Sequence, residues 1–396
     1  MPRFEPFTGI RYDLDRFRIG DVTSPPYDVI DAEDRASLVT RSPRNAVVVD
    51  LPDEADGPGR YADAARTFAA WQDSGVLVRD DRPSFTVYRM TYTDDLGRPA
   101  QTIGAIGALD LTRPGDGGIL PHELTTPKAK SDRLDLLRST RANLSPVWGL
   151  SLTAGLTGLL DITRSPLAEW TDDDGVRHAT WRVDDEEQVL AIGRAVGASP
   201  VVIADGHHRY ETCLAYRDER VAATGDPGPT AATMAYVVEL VEDQLSVRPI
   251  HRLVSGTGAD NLIALLEPWF DPGDATVPGD AVHRMAAAGS LAVVRPDGTA
   301  RLIRPREDAF DGVADLDSAR LAHALGALPD LSVHYQHGVE HVVRAVREAR
   351  ADAGVLLRPA TVAQIAVNAH AGDRMPPKTT FFHPKPRTGA VFRSLG

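Results

Sequence analysis

The strongest constraint on how this chain folds is an apolar run that leads into a short, dense polar turn. The apolar run is Val201 to Ala204, the turn is Asp205 to Arg209 (Asp-Gly-His-His-Arg), and residues of helical composition follow from Tyr210 to Tyr216. This order predicts a strand that passes through the turn into the N-terminus of a helix. Unpaired N–H groups and the helix macrodipole attract anions to such a position. The sequence therefore predicts an anion site at this turn, and phosphate is the anion that its chemistry suits best.

Each residue of the turn has a predicted role. Asp205 is expected to cap the helix, and Gly206 to let a bulky anion approach the backbone without a Cβ in the way. Two imidazoles and a guanidinium add attraction, and a glutamate lies four residues after the first imidazole, on the same helix face. The alternative is a purely structural turn with solvated or packed histidines. The remaining phosphate-handling candidates of this segment are His207, His208, Arg209 and Glu211.

Length and order of elements predict the architecture. The chain has 396 residues, which is too long for one ordinary core, and strand and helix patterns alternate without a fixed repeat. This favours a mixed α/β (α+β) protein. The composition changes most sharply near Ser151 to Gly158, so we expect an N-terminal lobe over residues 1–150 and a second lobe, with the polar turn, over 151–396. The apolar run Ala46 to Leu51 is expected to be a strand.

Composition narrows the functional classes. The formal net charge of −13 argues against a general nucleic-acid binder, because such proteins neutralise many phosphates with a basic surface. No stretch has the ~20 apolar residues of a membrane span, and the first residues lack the apolar region of a signal peptide. A cytoplasmic protein is therefore expected. The single cysteine, Cys213, excludes an internal disulfide framework and a multi-cysteine zinc site.

Two basic stretches are candidate phosphate contacts. One follows Pro121 and the pair His122-Glu123, and it includes Lys128 and Arg133. The other runs from Met375 to Arg387, where prolines restrict the backbone that carries its basic groups. A solvated surface is the alternative for both. The candidates of the second stretch are Lys378, Thr379 and Lys385.

An early block also has unusual chemistry. In Ser24 to Ile30, two consecutive prolines fix an extended backbone before Tyr27 and Asp28, which suits a rigid ligand contact. The equal alternative is a stiff entry into a helix, with Tyr27 packed. Pro26 and Arg11 complete the substrate-binding candidates.

Several familiar signatures are missing. The chain has no Gly-x-x-x-x-Gly-Lys-Ser/Thr loop, no Gly-x-Ser-x-Gly and no His-Glu-x-x-His. We assign no metal ligand, and we expect magnesium to arrive with nucleotide phosphates.

Six motif blocks in order resemble the family named domain of unknown function 1015. They span about Phe4 to Phe392 and are Pro6–Tyr12, Pro25–Ile30, Pro121–Glu123, Asp132-Arg133 with Asn143–Pro146, Ala204–Tyr210 and Met375–Thr380. The polar turn is also similar to the strand-turn-helix core of the ParB and sulfiredoxin superfamily, to which free-serine kinases belong. That resemblance implies nucleotide phosphates at the turn, Asp205 as the base on a serine hydroxyl, and His207, His208 and Arg209 on the phosphates. The chain lacks sulfiredoxin's cysteine in the turn.

The resemblance and the residues together predict a phosphotransferase. It would move phosphate between ATP or ADP and the hydroxyl of serine or a similar small metabolite, with positioning and charge neutralisation as the main catalytic effects. A nucleotide-binding regulatory module without turnover and a hydrolase of small phosphate esters are the alternatives. The expected partners are a small-molecule substrate and a nucleotide, without nucleic acid or membrane, and a homodimer is left open.

Overall fold

The computed structural model describes residues 1–94, 97–113, 116, 118–121, 130–328, 330–372 and 375–396. Within these ranges the chain forms two compact units. Unit 1 holds residues 1–121, 130–246 and 384–396, and unit 2 holds residues 247–383.

Unit 1 contains helices on a large mixed sheet. Its helices are α1 (Ile19–Val22), α2 (Ala32–Arg41), α3 (Val47–Asp50), α4 (Arg60–Asp73), α5 (Lys130–Thr140), α6 (Leu156–Leu160), α7 (Glu186–Gly197) and α8 (His207–Thr224). Its strands are β1 (Phe4–Glu5), β2 (Gly9–Tyr12), β3 (Leu77–Arg79), β4 (Phe85–Thr93), β5 (Pro99–Asp110), β6 (Ile119–Pro121), β7 (Ala142–Asn143), β8 (Val147–Ser151), β9 (Ala168–Thr171), β10 (Arg177–Val183), β11 (Val201–Asp205) and β12 (Ala232–Glu239), followed at the C-terminal end by Phe392–Ser394.

The large sheet has the order β6-β11-β8-β12-β5-β4-β10-β9, with β1 also paired to β5. Most neighbours are antiparallel, but β6 runs parallel to β11 and β8 runs parallel to β12. The C-terminal strand Phe392–Ser394 joins β3, β2 and β7 in a smaller sheet. The mixed α/β class predicted from the sequence is confirmed.

Unit 2 is a six-stranded antiparallel sheet with helices on both faces. Its strands are β13 (Ser246–Pro249, which begins at the last residue of unit 1), β14 (His251–Ser255), β15 (Phe270–Thr276), β16 (Leu291–Val294), β17 (Ala300–Pro305), β18 (Ser332–Gln336), β19 (Ala353–Leu356) and β20 (Thr380–His383), and its helices are α9 (Ala259–Leu266), α10 (Pro278–Ala288), α11 (Asp317–Gly326), α12 (Val339–Arg347) and α13 (Val362–Ala371). The C-terminal strand of unit 1 is therefore β21. The sheet order is β15-β17-β16-β19-β14-β18, and β13 pairs with β20 outside it.

Alternating residues of unit 2 face two separate cores. In β16, Leu291 and Val293 lie in the core with α9 and α11, whereas Ala292 and Val294 lie in the core with α10 and α12. This is the period of two that a strand imposes when both faces of its sheet are covered. None of the helices in the described part of the chain combines the length and the apolar character that crossing a membrane requires.

The unit boundaries differ from the lobes predicted at residue 150. β8 lies at that position and pairs with β11 on one side and β12 on the other, so these three strands belong to one sheet of unit 1. The composition break reflects the exposed turn before α6 and no change of unit.

The predicted strand at Ala46 to Leu51 is wrong. These residues form α3 and the turn before it, although Val47 to Val49 are β-branched. Asn45 explains the difference: its Oδ1 accepts from the Val47 N–H at 3.0 Å, and its Nδ2 donates to the Thr23 carbonyl at 2.9 Å. Side-chain bonds and full burial of Val47 and Val49 override the strand propensity here.

Candidate functional site: a buried lysine between two aspartates

The predicted strand, turn and helix are confirmed as β11, Gly206 and α8. Val201 and Ile203 lie in the core of unit 1, which anchors the strand. The pairing of β11 with β8 shifts register between Ile203 and Asp205, a bulge that turns the strand end away from the regular alternation. Asp205 is therefore the last residue of β11 and lies immediately before Gly206 and the first turn of α8.

Gly206 has a backbone conformation that favours glycine. Its φ is +84° and its ψ is 28°, in the left-handed region. A Cβ on Gly206 would lie 2.9 Å from Nε of Arg209. Close packing of the Arg209 guanidinium against the turn therefore requires glycine at this position, in addition to the backbone conformation.

Asp205 does not cap α8 as predicted. The N-cap position is Gly206, which makes no side-chain capping bond. The Asp205 carboxylate instead accepts from two cations: Oδ2 from Nη2 of Arg209 at 2.8 Å, and Oδ1 from Nζ of Lys385 at 3.1 Å. The competing long-range partner explains the difference, because a cation binds a carboxylate more strongly than a neutral N–H does.

Lys385 joins Asp205 to the early proline block. Its Nζ donates to Oδ2 of Asp28 at 2.5 Å, so one ammonium is shared by two carboxylates. The lysine side chain is only 8% exposed. Burial by itself lowers the pKa of Lys385, but Asp205 and Asp28 outweigh it and raise the pKa above its ordinary value. Lys385 is therefore a fixed positive charge at neutral pH.

Arg209 is held equally firmly. Besides Asp205, its guanidinium donates through Nη1 to the carbonyl of Pro146. Burial lowers its pKa, and the nearby carboxylates of Asp205, Asp28 and Asp50 contribute to a net rise. Its side chain is 10% exposed. Arg209 therefore orients Asp205 from within the same helix turn, four residues along.

A second buried ion pair borders this cluster. Arg133 of α5 donates to Oδ1 of Asp50 and to the Asp50 carbonyl, both at 2.5 Å. Its guanidinium also lies over the ring of Tyr27, 3.9 Å from the ring centroid. This cation–π contact and burial position the tyrosine, whose pKa is raised chiefly by burial.

The C-terminal segment of unit 1 connects these groups. Thr388 forms a two-way backbone bridge with Ser24, the residue before the two prolines, with N···O distances of 3.1 and 2.8 Å. Its hydroxyl lies 3.3 Å from Oδ2 of Asp50. Residues 385 to 388 therefore contact the proline block, the Asp50 pair and the polar turn.

Six candidates from the sequence thus belong to one cluster: Tyr27, Asp28, Arg133, Asp205, Arg209 and Lys385. Pro26 immediately precedes the short 3₁₀ helix Tyr27–Val29. His207 and His208 are the first two residues of α8 and are half-buried, and Glu211 follows one turn later.

Other candidates have different surroundings. The Arg11 guanidinium is bound by Asp80 at 3.0 Å and donates to Thr86 at 2.7 Å. Lys378 and Thr379 belong to unit 2, where Arg252 donates to the Lys378 carbonyl at 3.2 Å and the Thr379 hydroxyl donates to the Pro376 carbonyl at 2.8 Å. His122, Glu123 and Lys128 lie outside the described residues.

The sequence interpretation missed Asp50. A signal was available, because Val47 to Asp50 repeats the pattern of Val201 to Asp205, an apolar run that ends in an aspartate. Asp50 differs from Asp205 in that it ends a helix and not a strand. Asp50 is 1% exposed, and a carboxylate this deeply buried requires a cation such as Arg133.

Magnesium does not fit this cluster as a protein-held ion. Carboxylate oxygens are suitable ligands, but Asp28 and Asp205 converge on the lysine ammonium. Among the described residues, no three His, Cys, Asp or Glu side chains are arranged to hold a metal ion.

Comparisons with solved structures found matches at low sequence identity and low TM-score. A free serine kinase mutant in complex with AMP is 12% identical over 70% of this chain and 89% of its own, with a TM-score of 0.41. SbnI from Staphylococcus aureus, truncated at its C-terminus, is 13% identical over 73% and 87%, with a TM-score of 0.40. A conserved hypothetical protein from Pyrococcus furiosus is 12% identical over 69% and 90%, with a TM-score of 0.38.

No curated protein matches the chain in sequence. The resemblance of the polar turn to the ParB and sulfiredoxin superfamily stays a prediction. A family model described as protein of unknown function (DUF1015) matches residues 4–321, most of the chain. The protein therefore belongs to the DUF1015 family.

Proposed function

We propose that this protein transfers a phosphate group between ATP or ADP and the hydroxyl of serine or a similar small metabolite. The observation that carries the proposal is the Asp205 carboxylate, which lies between β11 and the N-terminus of α8 with Arg209 and Lys385 on its two oxygens. A carboxylate for the hydroxyl, cations for the moving charge and helix N–H groups for an anion are the parts that phosphoryl transfer needs.

Asp205 is the base in this proposal. In the forward direction, the substrate hydroxyl oxygen attacks the terminal phosphorus of ATP and forms a new O–P bond. The bond from that phosphorus to the bridging oxygen breaks, and ADP leaves with its electron pair. The hydroxyl proton passes to the Asp205 carboxylate and from there to solvent. Two flanking cations fix the direction of this carboxylate, which favours orientation of the hydroxyl.

The neighbouring groups bind the nucleotide, stabilise the transferred phosphate and recognise the acceptor in this proposal. The start of α8, with His207 and His208, receives nucleotide phosphates, and Arg209 and Lys385 stabilise the charge that develops on the transferred group. Asp28 and Tyr27 border the acceptor side of Lys385, where an amino acid's ammonium would meet a carboxylate. Their rigid setting after two prolines suits recognition of a small substrate.

Phosphorus NMR tests the proposal directly. Purified protein with Mg²⁺ is offered ATP plus serine in one tube and ADP plus phosphoserine in another. We expect phosphate to move in at least one tube, and Asp205→Asn to slow that transfer by about 10²-fold or more, since general-base contributions are of this order. The matched control is Asp218→Asn, which removes a half-exposed carboxylate from the same helix and should leave transfer unchanged.

The same experiment separates the alternatives. Nucleotide signals that shift on binding without any turnover would contradict the phosphotransferase and support a regulatory binding module. Free phosphate released from phosphoserine without a nucleotide acceptor would support a hydrolase. If phosphate moves to another small hydroxyl compound but not to serine, the phosphotransferase stands and only the identity of the substrate changes.

A further inference from the structure

A buried polar network lies beside the candidate site and has no role in the chemistry described above. It consists of Tyr88 on β4, Asp172 next to β9, His178 on β10, and Arg387 in the C-terminal segment. The Tyr88 hydroxyl lies 2.8 Å from Nδ1 of His178, and Nε2 of His178 lies 3.0 Å from Oδ2 of Asp172. Both Tyr88 and His178 are fully buried.

The network holds Arg387 by its backbone and by its side chain. The Arg387 N–H donates to the Tyr88 hydroxyl at 3.1 Å, and Nη1 of Arg387 lies 3.4 Å from Oδ2 of Asp172. Thus one aspartate receives both His178 and Arg387. The four groups form a closed ring of polar contacts around one residue of the segment.

The hydrogen-bond directions follow from Asp172, whose ionised carboxylate can only accept. Nε2 of the neutral His178 imidazole therefore carries the ring proton and donates to Asp172. Nδ1, which has no proton, then accepts from the Tyr88 hydroxyl. Burial lowers the pKa of His178, although Asp172 opposes it. Burial alone would raise the pKa of Asp172, but His178 and Arg387 outweigh it and lower that pKa.

Lys385 is two residues before Arg387, and a proline lies on each side of it. Prolines at 384 and 386 remove much of the backbone freedom between Lys385 and the anchored residue. On the other side of Arg387, Thr388 is bridged to Ser24. An anchor at residues 387 and 388 therefore determines where the Lys385 side chain starts.

We propose that Tyr88, His178 and Asp172 are positioning residues that fix Arg387 and thereby hold Nζ of Lys385 between Asp28 and Asp205. This inference rests on the proposed function, in which Lys385 stabilises the transferred phosphate. A buried ionic network contributes little to stability when apolar side chains of similar volume would pack as well, so its value lies in specifying one arrangement. Misplacement of a catalytic group by about 1 Å can cost about 10²-fold in rate.

The composition of the chain makes Lys385 directly observable. Of 43 Lys and Arg residues, only four are lysines: Lys128, Lys130, Lys378 and Lys385. Lysine labelled with ¹³C at Cε therefore gives a four-signal NMR spectrum, and the Lys385 signal is assigned as the one missing in Lys385→Arg. The titration of that signal reports the local carboxylates whether or not the protein has activity.

The test compares Asp172→Asn and Tyr88→Phe with the control Asp174→Asn, whose side chain is exposed two residues along. In both test variants we expect the pKa of Lys385 to fall toward its ordinary value of about 10.4. We also expect kcat for phosphate transfer to fall by about 10- to 100-fold, with KM changed by less than about threefold. The control should show neither change. Two variants are used because either substitution alone can impair folding, which thermal unfolding would show.

The outcomes of this test separate the two proposals. An unchanged Lys385 titration in both folded variants would overturn the positioning role, even if activity fell. If the Lys385 titration shifts in the two variants but the wild-type protein transfers no phosphate, the positioning role stands and the proposed function is contradicted. A loss of kcat that follows the loss of folded protein, with an unshifted Lys385 signal in the folded fraction, would indicate a merely structural network.

Discussion

The two units differ in how deeply their most buried ion pairs lie. In unit 1, the pairs Arg133–Asp50 and Arg11–Asp80 have side chains that are all less than 10% exposed, and Lys385 is buried between its two aspartates. In unit 2, Arg306–Asp271 has side chains that are 42% and 49% exposed, and in Arg358–Asp317 the arginine is 29% exposed although the aspartate is buried. Exposed ion pairs are screened by water and contribute little to the stability of the fold. A buried charge needs its partner, so buried pairs specify one arrangement of the side chains. Among the described ion pairs, those with both side chains less than 10% exposed lie in unit 1, which also holds the candidate site.

The buried histidines show the same difference. In unit 1, His178 has a carboxylate partner, Asp172. In unit 2, Nδ1 of His251 accepts from the Leu357 N–H at 3.2 Å, and the neighbours that contribute to its pKa shift, Arg252 and His337, both lower that pKa. Burial and these neighbours lower the pKa of His251 to about 4. The two units are therefore expected to respond differently to mutation and to acid.

The largest effect is expected from breaking a buried pair in unit 1. Arg133→Met keeps an apolar stem of similar length but leaves the Asp50 carboxylate, 1% exposed, without its cation. The free energy of unfolding should fall by about 3–5 kcal/mol, the usual result of removing one partner of a buried pair. Urea denaturation measures it. A loss below about 1 kcal/mol would mean that Asp50 is not held by Arg133.

Acid should destabilise unit 2 through His251. Its pKa is about 4 in the folded protein and about 6.5 when unfolded, so the unfolded chain binds the extra proton. The stabilisation is complete above pH 6.5 and is lost as the pH falls toward 4. The loss is about 3 kcal/mol.

Amide hydrogen exchange in β14 and β19, measured at several pH values, reports this loss of stability in the strands around His251. In His251→Gln, which keeps a hydrogen-bond acceptor but does not titrate, the pH dependence should flatten. The exposed residue His283 supplies the control, because His283→Gln should leave the wild-type dependence intact. An equal slope in all three proteins would contradict the assignment to His251.

Alanine substitutions at two glycines distinguish the cost of backbone strain from the cost of a steric clash. Gly206 and Gly372 both have positive φ, +84° and +73°, but an added Cβ meets Arg209 at Gly206 and meets nothing within 4 Å at Gly372. Gly372→Ala should cost about 1 kcal/mol from conformation alone, and Gly206→Ala about 2–3 kcal/mol. Thermal unfolding compares them. Equal losses would show that Arg209 moves aside without cost.

The smallest effect is expected on the surface of unit 2. Arg306→Met makes the same change as Arg133→Met, but in the exposed pair with Asp271 at 2.9 Å. The free energy of unfolding should change by less than about 1 kcal/mol, and added salt should reduce the difference further. Urea denaturation at low and high salt measures both. A loss as large as that of Arg133→Met would remove the distinction between the two units.

Local pattern predicted the local elements well. The strand at Val201 to Ala204, the glycine turn and the helix that follows were expected from the order of apolar and polar residues, and they are confirmed as β11, Gly206 and α8. Failure came where a distant partner competes with local preference. The strand expected at Ala46 to Leu51 became α3 because of Asn45 and burial, and Asp205 bound Arg209 and Lys385 instead of capping its helix.

The candidate site was partly visible in the sequence for the same reason. Tyr27, Asp28, Arg209 and Lys385 stood out because prolines or a strand end hold them rigidly, and rigidity is a local property. Asp50 and the network around His178 did not, because a buried polar residue is recognised by its partner. Those partners lie far along the chain: Arg133 is 83 residues from Asp50, and Tyr88 is 90 residues from His178.

The sequence by itself determined the strand, the glycine turn and the helix that place Asp205, since near neighbours decide hydrogen bonding and backbone conformation there. Only the tertiary structure decided that Lys385, 357 residues from Asp28 and 180 from Asp205, is the cation between them. With 43 basic and 56 acidic side chains, composition permits very many pairings. Packing selects among them, because a charge can leave water only where the fold supplies its partner.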